Sequence, residues 1–181
     1  MKIHAFVSMV TLCFAAISFA QDDSGLKKTS HPRIIASPGP VTEAEADATF
    51  KRVDDLLKAV LHVTVSPRPV HGVSAGSPIT KEEVVKELSR LYRAVEPWFS
   101  NTPNATKVDY ARLVFKTQRE KSDLVLLVRT GFIGNYGPLA TGKTQALTVQ
   151  EFGDSLGYFL ARLGECTHTS STKWTPYLHG I

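Results

Sequence analysis

The sequence predicts an all-α domain in which two helix–loop–helix repeats pack as a pseudo-symmetric helical bundle. Three observations support this prediction. Threonine–glutamate pairs typical of helix starts precede three apolar stripes, each stripe has helical spacing, and the two halves match at a shift of 68 positions. The repeats cover about residues 42–97 and 108–164, so the predicted domain spans residues 42–164.

Residues 1–20 are predicted to be a secretory signal peptide. The segment has a positive residue near its start, and residues 5–20 carry no charge. Ser18 and Ala20 place small residues before a cleavage point, as signal peptidase requires. The apolar run is short for a bilayer span. We therefore expect an exported mature chain, in the periplasm, at the cell surface or extracellular, with no transmembrane segment.

The first repeat follows a predicted flexible leader, residues 21–41, which is polar and interrupted by proline and glycine. Thr42-Glu43-Ala44-Glu45 matches the capping box, in which a hydroxyl and a carboxylate satisfy free amides at a helix start. The apolar pattern after it predicts a helix to about His62. Thr80-Lys81-Glu82-Glu83 repeats the capping box and opens a second helix that Pro97 ends.

The second repeat follows a linker at residues 98–107. Residues 108–115 fit either a helix or a strand. Ser122-Asp123 is predicted to open a short helix, from Leu124 to Arg129, that stops at Gly131. A glycine- and proline-containing loop follows, and the capping box Thr148-Val149-Gln150-Glu151 opens a helix to about Gly164. Residues 165–181 form a C-terminal tail.

The two repeats agree in more than apolar spacing. At a shift of 68, Thr80 falls on Thr148 and Glu83 on Glu151, and the entry aspartates also coincide. Small residues recur every fourth position in the last helix, at Gly153, Gly157 and Ala161. Because glycine is costly inside a helix, we expect this ridge to pack closely against the helix at residues 84–95.

Composition excludes some classes of protein. The chain carries 21 basic and 17 acidic residues, a net charge of +4, or +3 after loss of the signal peptide. This excess is small and spread along the chain, so we expect no nucleic-acid partner. Cys166 is the one cysteine after the signal, so no disulfide can form within the mature chain. We expect a plain, partly buried thiol, with an interchain link as the alternative.

Several motifs suggest chemistry without the context that it needs. Residues 137–144 match the phosphate-loop pattern GxxxxGK[ST], but such a loop follows a strand and runs directly into a helix, and here Thr148 caps the helix four residues later. Cys166 and His168 are too few for a zinc site. We therefore predict no catalytic, metal-binding or cofactor-binding residues and no cofactor.

Two strings carry a resemblance to a known family. Ile79-Thr80-Lys81-Glu82-Glu83-Val84 and Leu147-Thr148-Val149-Gln150-Glu151-Phe152 follow a short helix, a glycine turn and a loop, and open a longer helix. This order resembles the S-layer homology repeat, over roughly residues 53–95 and 121–163. The resemblance implies non-covalent anchoring to a cell-wall polysaccharide without catalysis. It places the basic residue after the threonine at the ligand groove, where Lys81 keeps that character and Val149 does not.

The sequence thus predicts an exported, non-catalytic cell-envelope module that binds a cell-wall polysaccharide or an envelope protein, with Lys81 as the polymer-binding residue. Two alternatives remain at this point. One is a secreted protein-interaction module that uses Trp98 or the aromatic tail at Trp174–Tyr177. The other is a hydrolase with an unrecognised site.

Overall fold

The computed structural model describes residues 39–67, 76–101, 103–115, 117–142 and 145–169. These residues form five α-helices and no strand, which confirms the all-α prediction for this part of the chain. The predicted signal peptide, residues 21–38 of the predicted leader and residues 170–181, with Trp174 and Tyr177, lie outside it. The helices are α1 (Glu43–Leu61), α2 (Lys81–Val95), α3 (Gln118–Arg129), α4 (Pro138–Thr141) and α5 (Val149–Cys166), and a 3-10 turn, Glu96–Trp98, follows α2.

The three predicted capping boxes are all present, at the starts of α1, α2 and α5. At α2, the amide of Glu83 donates to the hydroxyl of Thr80 over 3.2 Å, and the amide of Thr80 donates to the carboxylate of Glu83 over 2.8 Å. The same exchange recurs at the other two starts. Each box satisfies amides that the first turn of a helix leaves without partners.

The predicted start of α3 was wrong. The helix begins at Gln118, six residues before Leu124, because a fourth capping box joins Thr117 to Glu120. The amide of Glu120 donates to the hydroxyl of Thr117 over 3.0 Å. Asp123, assigned to the helix entry, instead lies within α3 and is buried. The predicted stop is confirmed, since Gly131 has a φ of +76° and the chain turns there.

The repeat spacing recurs in the helix boundaries. α1 and α3 end 68 positions apart, and α2 and α5 begin 68 positions apart. The first helices differ in length, with 19 residues in α1 and 12 in α3. Residues 108–115, which the sequence left open between helix and strand, are an irregular segment with a turn at residues 110–112.

One hydrophobic core joins the helices. α2 packs most extensively on α3. A cluster of aromatic rings surrounds Phe132, whose ring centre lies 5.0 Å from that of Tyr92, 5.8 Å from that of Phe99 and 5.4 Å from that of Phe159. Phe50 of α1 meets Phe152 of α5 edge-on at 5.6 Å. Burial of these side chains is the main stabilising contribution.

The expected ridge of small residues on α5 was wrong. A β-carbon added at Gly153 or Gly157 would meet no atom of the described residues within 4 Å, and Gly153, Gly157 and Ala161 are all partly exposed. Within the described segments, no neighbouring backbone approaches closely at either glycine. α5 presents its larger apolar residues to the core instead, including Leu156, Phe159 and Leu163.

Candidate functional site

Three helix starts meet at one place in the fold. The amide of Val41 donates to the carbonyl of Leu147, and the amide of Ile79 donates to the carbonyl of Val41, each over 2.9 Å. The amide of Lys81 completes the triangle by donating to the carbonyl of Gln145 over 2.9 Å. The segments that precede α1, α2 and α5 are therefore linked to one another in pairs.

The sequence contained a signal for this arrangement that we missed. The string of aliphatic residue, threonine, two residues, glutamate and apolar residue also occurs at Val41–Ala46. We assigned Val41 to the leader, yet it is buried and hydrogen-bonded. Val41, Ile79 and Leu147 occupy the same position before their threonines, and all three are buried. The chain thus has three related helix starts rather than two.

The electrostatics of these starts favour negative charge. The first turn of an α-helix carries a partial positive charge from its free amides. At two of the starts, hydrogen bonds from the backbone of Thr42 and Thr148 lower the pKa of Glu45 and of Glu151. The capping carboxylates are therefore held in their charged form, as expected where amides point at an anion.

Lys81, the residue that the sequence selected, is the first residue of α2 and lies at this meeting point. It is only 4% exposed, and its ammonium has no hydrogen-bond partner among the described residues. Burial lowers the pKa of Lys81, against the opposing effect of the negative charge of Glu151. A cation at a helix start is also repelled by the helix dipole. This position does not use the lysine charge to stabilise the fold.

The ammonium lies against Gly142, just after α4. A β-carbon at Gly142 would overlap the ammonium of Lys81 and would lie 3.0 Å from the carbonyl of Pro138. Gly142 has a φ of −68°, so the position does not need glycine for its backbone conformation. The missing side chain is what makes room for the lysine. An ammonium has three donors and no acceptor, so the group that fits it is an anion.

The phosphate-loop match at residues 137–144 has the wrong surroundings. Its residues Pro138–Thr141 form the short helix α4, and α5 begins only at Val149. The segment before it is a turn after α3 and no strand. A phosphate loop instead wraps its backbone amides around the anion and continues into a helix. Lys143 and Thr144 lie outside the described residues.

The other residues singled out in the sequence are dispersed. Cys166 ends α5 and is buried, and burial raises the pKa of its thiol. His168 is exposed two residues later. Within the described ranges, no three or more histidine, cysteine, aspartate or glutamate side chains are grouped so that they could hold a metal ion. Trp98, in the 3-10 turn, is 50% exposed.

The helices of the described segments include none with the length and apolar character needed to cross a bilayer. No family model, curated protein or solved structure matches the chain.

Proposed function

We propose that the chain is an exported, non-catalytic module of the cell envelope that binds an anionic wall polymer at Lys81. A carboxylate or phosphate group on the polymer would pair with the Lys81 ammonium beside the starts of α1, α2 and α5. The observation that carries the proposal is the buried ammonium that no described residue pairs. A buried charge without a partner is costly, and binding an anion would offset that cost.

A ligand would need the ammonium to reach the surface. Lysine has four rotatable side-chain bonds, and the neighbouring Gly142 has no side chain. Rotation of the lysine would bring the charge to the surface while the stem stays packed, as lysine stems commonly do.

The proposal includes the two-repeat, pseudo-symmetric arrangement and its resemblance to the S-layer homology repeat. The shared spacing of 68 between helix boundaries supports it. The third helix start at Val41 brings the chain closer to the three units usual in that family. Lys81 is the basic residue after the threonine in its unit, whereas Glu43 and Val149 stand at the equivalent positions.

Sedimentation with isolated cell walls tests the proposal. Purified protein is mixed with walls of the source organism, at low and high salt, before and after the anionic polymers are extracted from the walls. We expect wild type to pellet with intact walls at low salt and to remain in solution with extracted walls. Lys81→Met should lose at least tenfold in affinity, because one charge-assisted pair is worth about 1.5–3 kcal/mol.

A matched variant distinguishes binding at Lys81 from nonspecific attraction by the net positive charge of the protein. Lys58 is an exposed lysine in the last turn of α1, so Lys58→Met makes the same change in net charge. It should pellet as wild type does. Equal losses in the two variants, or no pelleting at either salt, would refute a polymer site at Lys81.

A protein partner in the envelope is the second candidate, and the exposure of Trp98 favours it. Tryptophan is enriched among residues that dominate protein interfaces. In that case Trp98→Ala should abolish recovery of a cross-linked envelope protein while wall pelleting persists.

A further inference from the structure

A second surface of the molecule combines exposed rings with basic side chains. We call it the aromatic–basic surface and define it by residues Tyr110, Arg112, Val114, Phe115, Lys121 and Tyr136. Tyr136 is 71% exposed and Tyr110 59% exposed, and Val114 and Phe115 are also exposed. Exposed large apolar side chains that stand together mark interaction sites more often than scattered ones do.

Contacts join four of these residues in two pairs, and each pair includes a residue of the segment 110–115. The guanidinium of Arg112 lies 5.2 Å from the ring centre of Tyr136, and the ammonium of Lys121 lies 5.1 Å from that of Phe115. The amide of Val114 donates to the carbonyl of Ala140 over 2.9 Å. The surface therefore joins residues 110–115, the start of α3 and the turn that follows α3.

The polar groups beneath this surface are already engaged. The side chain of Asn135 accepts from the amide of Asp109 and donates to the carbonyl of Lys107. Arg112 pairs with Asp109 at 3.1 Å. What faces outward is therefore ring surface and positive charge, with few free groups of fixed direction. Such a surface is better suited to contact with a lipid–water interface than to the recognition of a sugar through hydrogen bonds.

The local sequence is basic on balance, and in space the carboxylate of Glu82 accepts a hydrogen bond from Thr117 at the start of α3. Among the described residues from 107 to 121, four are basic and two are acidic. One acidic residue, Asp109, is paired with Arg112, and the other, Glu120, is buried in the cap of α3. Lys107 and Arg119 are exposed. The complementary partner is an extended surface of negative charge.

From these observations we infer that the aromatic–basic surface rests on an anionic lipid bilayer. Tyrosine rings favour the level of the lipid headgroups, and lysine and arginine are drawn to anionic lipids. The contact is peripheral and reversible, without a membrane span. The inference is argued separately from the polymer site at Lys81 and concerns a different set of residues.

Vesicle sedimentation tests the inference. The full chain is mixed with vesicles of phosphatidylcholine alone or of phosphatidylcholine with phosphatidylglycerol. We expect binding only to the vesicles that contain phosphatidylglycerol, and weaker binding at high salt. Lys121→Gln should weaken binding about fivefold, the factor for one basic residue near an anionic surface.

Tyrosine variants distinguish vesicle binding that involves the aromatic rings from attraction by charge alone. Tyr110→Ser with Tyr136→Ser should also weaken vesicle binding severalfold. Tyr158, 49% exposed on α5 and outside the surface, supplies the control, since Tyr158→Ser should bind as wild type does.

Three outcomes would overturn the inference. They are no binding to either vesicle, unchanged binding by the double tyrosine variant, and a loss of wall pelleting by that variant with vesicle binding intact. The last outcome would assign the surface to the polymer. Failure of Lys81→Met to lose wall binding would leave the vesicle result unaffected, so the two proposals fail separately.

Discussion

α2 carries a buried lysine at its start and a half-buried arginine in its middle, and the two charges differ in their partners. Arg90, in the middle, bonds to Glu87, to the carbonyl of Ser66 and, over 3.0 Å, to Asp54 of α1. Lys81, at the start, is more deeply buried and its ammonium has no hydrogen-bond partner among the described residues. The charge of Arg90 joins α2 to α1, whereas that of Lys81 makes no such link, as the proposed polymer site requires.

Removal of Arg90 should have the largest effect. Arg90→Met leaves the buried carboxylate of Glu87 without this cation, and breaking a buried ion pair costs about 3–5 kcal/mol. We expect a loss of free energy of unfolding near the lower bound, measured by urea denaturation. Arg129→Met, at an exposed position at the end of α3, is the control and should change it little. Equal stability of Arg90→Met and wild type would show that the network does not hold α1 to α2.

Removal of the Lys81 charge should act in the opposite direction. Lys81→Met replaces an unpaired buried ammonium with an apolar chain of similar length, so we expect the free energy of unfolding to rise by about 1 kcal/mol. A variant that folds more stably and yet loses wall binding would identify a residue kept for binding. A destabilised Lys81→Met would mean that the ammonium has a structural role and would remove the contrast with Arg90.

The pH dependence of the stability gained by Lys81→Met sharpens the comparison between Lys81 and Arg90. The folded state lowers the pKa of Lys81 from an ordinary value of 10.5. Between the folded and unfolded pKa values the unfolded chain binds more protons, so wild type gains stability as pH rises. The advantage of Lys81→Met should therefore shrink as pH rises toward the ordinary pKa of lysine. Tyr92, whose pKa burial raises to about 12, is present in both proteins and cancels in the difference. A constant advantage across this range would contradict the lowered pKa.

The smallest effect concerns the glycines of α5. Because a β-carbon at Gly157 meets open space, Gly157→Ala should stabilise the protein by up to about 1 kcal/mol through helix propensity alone. Thermal unfolding would show a higher midpoint. A lower midpoint would restore the packed ridge that the sequence suggested. Gly131→Ala, at a φ of +76°, is the contrasting change and should destabilise.

Local signals predicted the fold well. A capping box needs only residues three positions apart, so the starts of α1, α2 and α5 could be located from the sequence. The start of α3 was missed because Ser122-Asp123 offered a second plausible cap close to the apolar residues. The true cap at Thr117 precedes a first turn without apolar side chains.

The site was harder to predict, because it depends on distant parts of the chain. The resemblance singled out Lys81, but nothing near Lys81 in the sequence indicates that Gly142 leaves space for its ammonium. Local sequence patterns likewise do not indicate the backbone hydrogen bond between Val41 and Leu147. The aromatic–basic surface was missed for the same reason, since Tyr136 reaches Arg112 only through the turn after α3.

The triangle of backbone bonds at the helix starts has a consequence for how the chain matures. Two of its three bonds need residues 145–147, and one of these bonds holds Val41, near the opposite end of the described chain. Ribosomes deliver residues in order from the amino end, so α1 and α2 must wait for most of the chain before this junction can close. Until then the apolar residues that pack on α5, such as Phe50 of α1, stay uncovered, and chaperones would have the longest access to this protein during that interval.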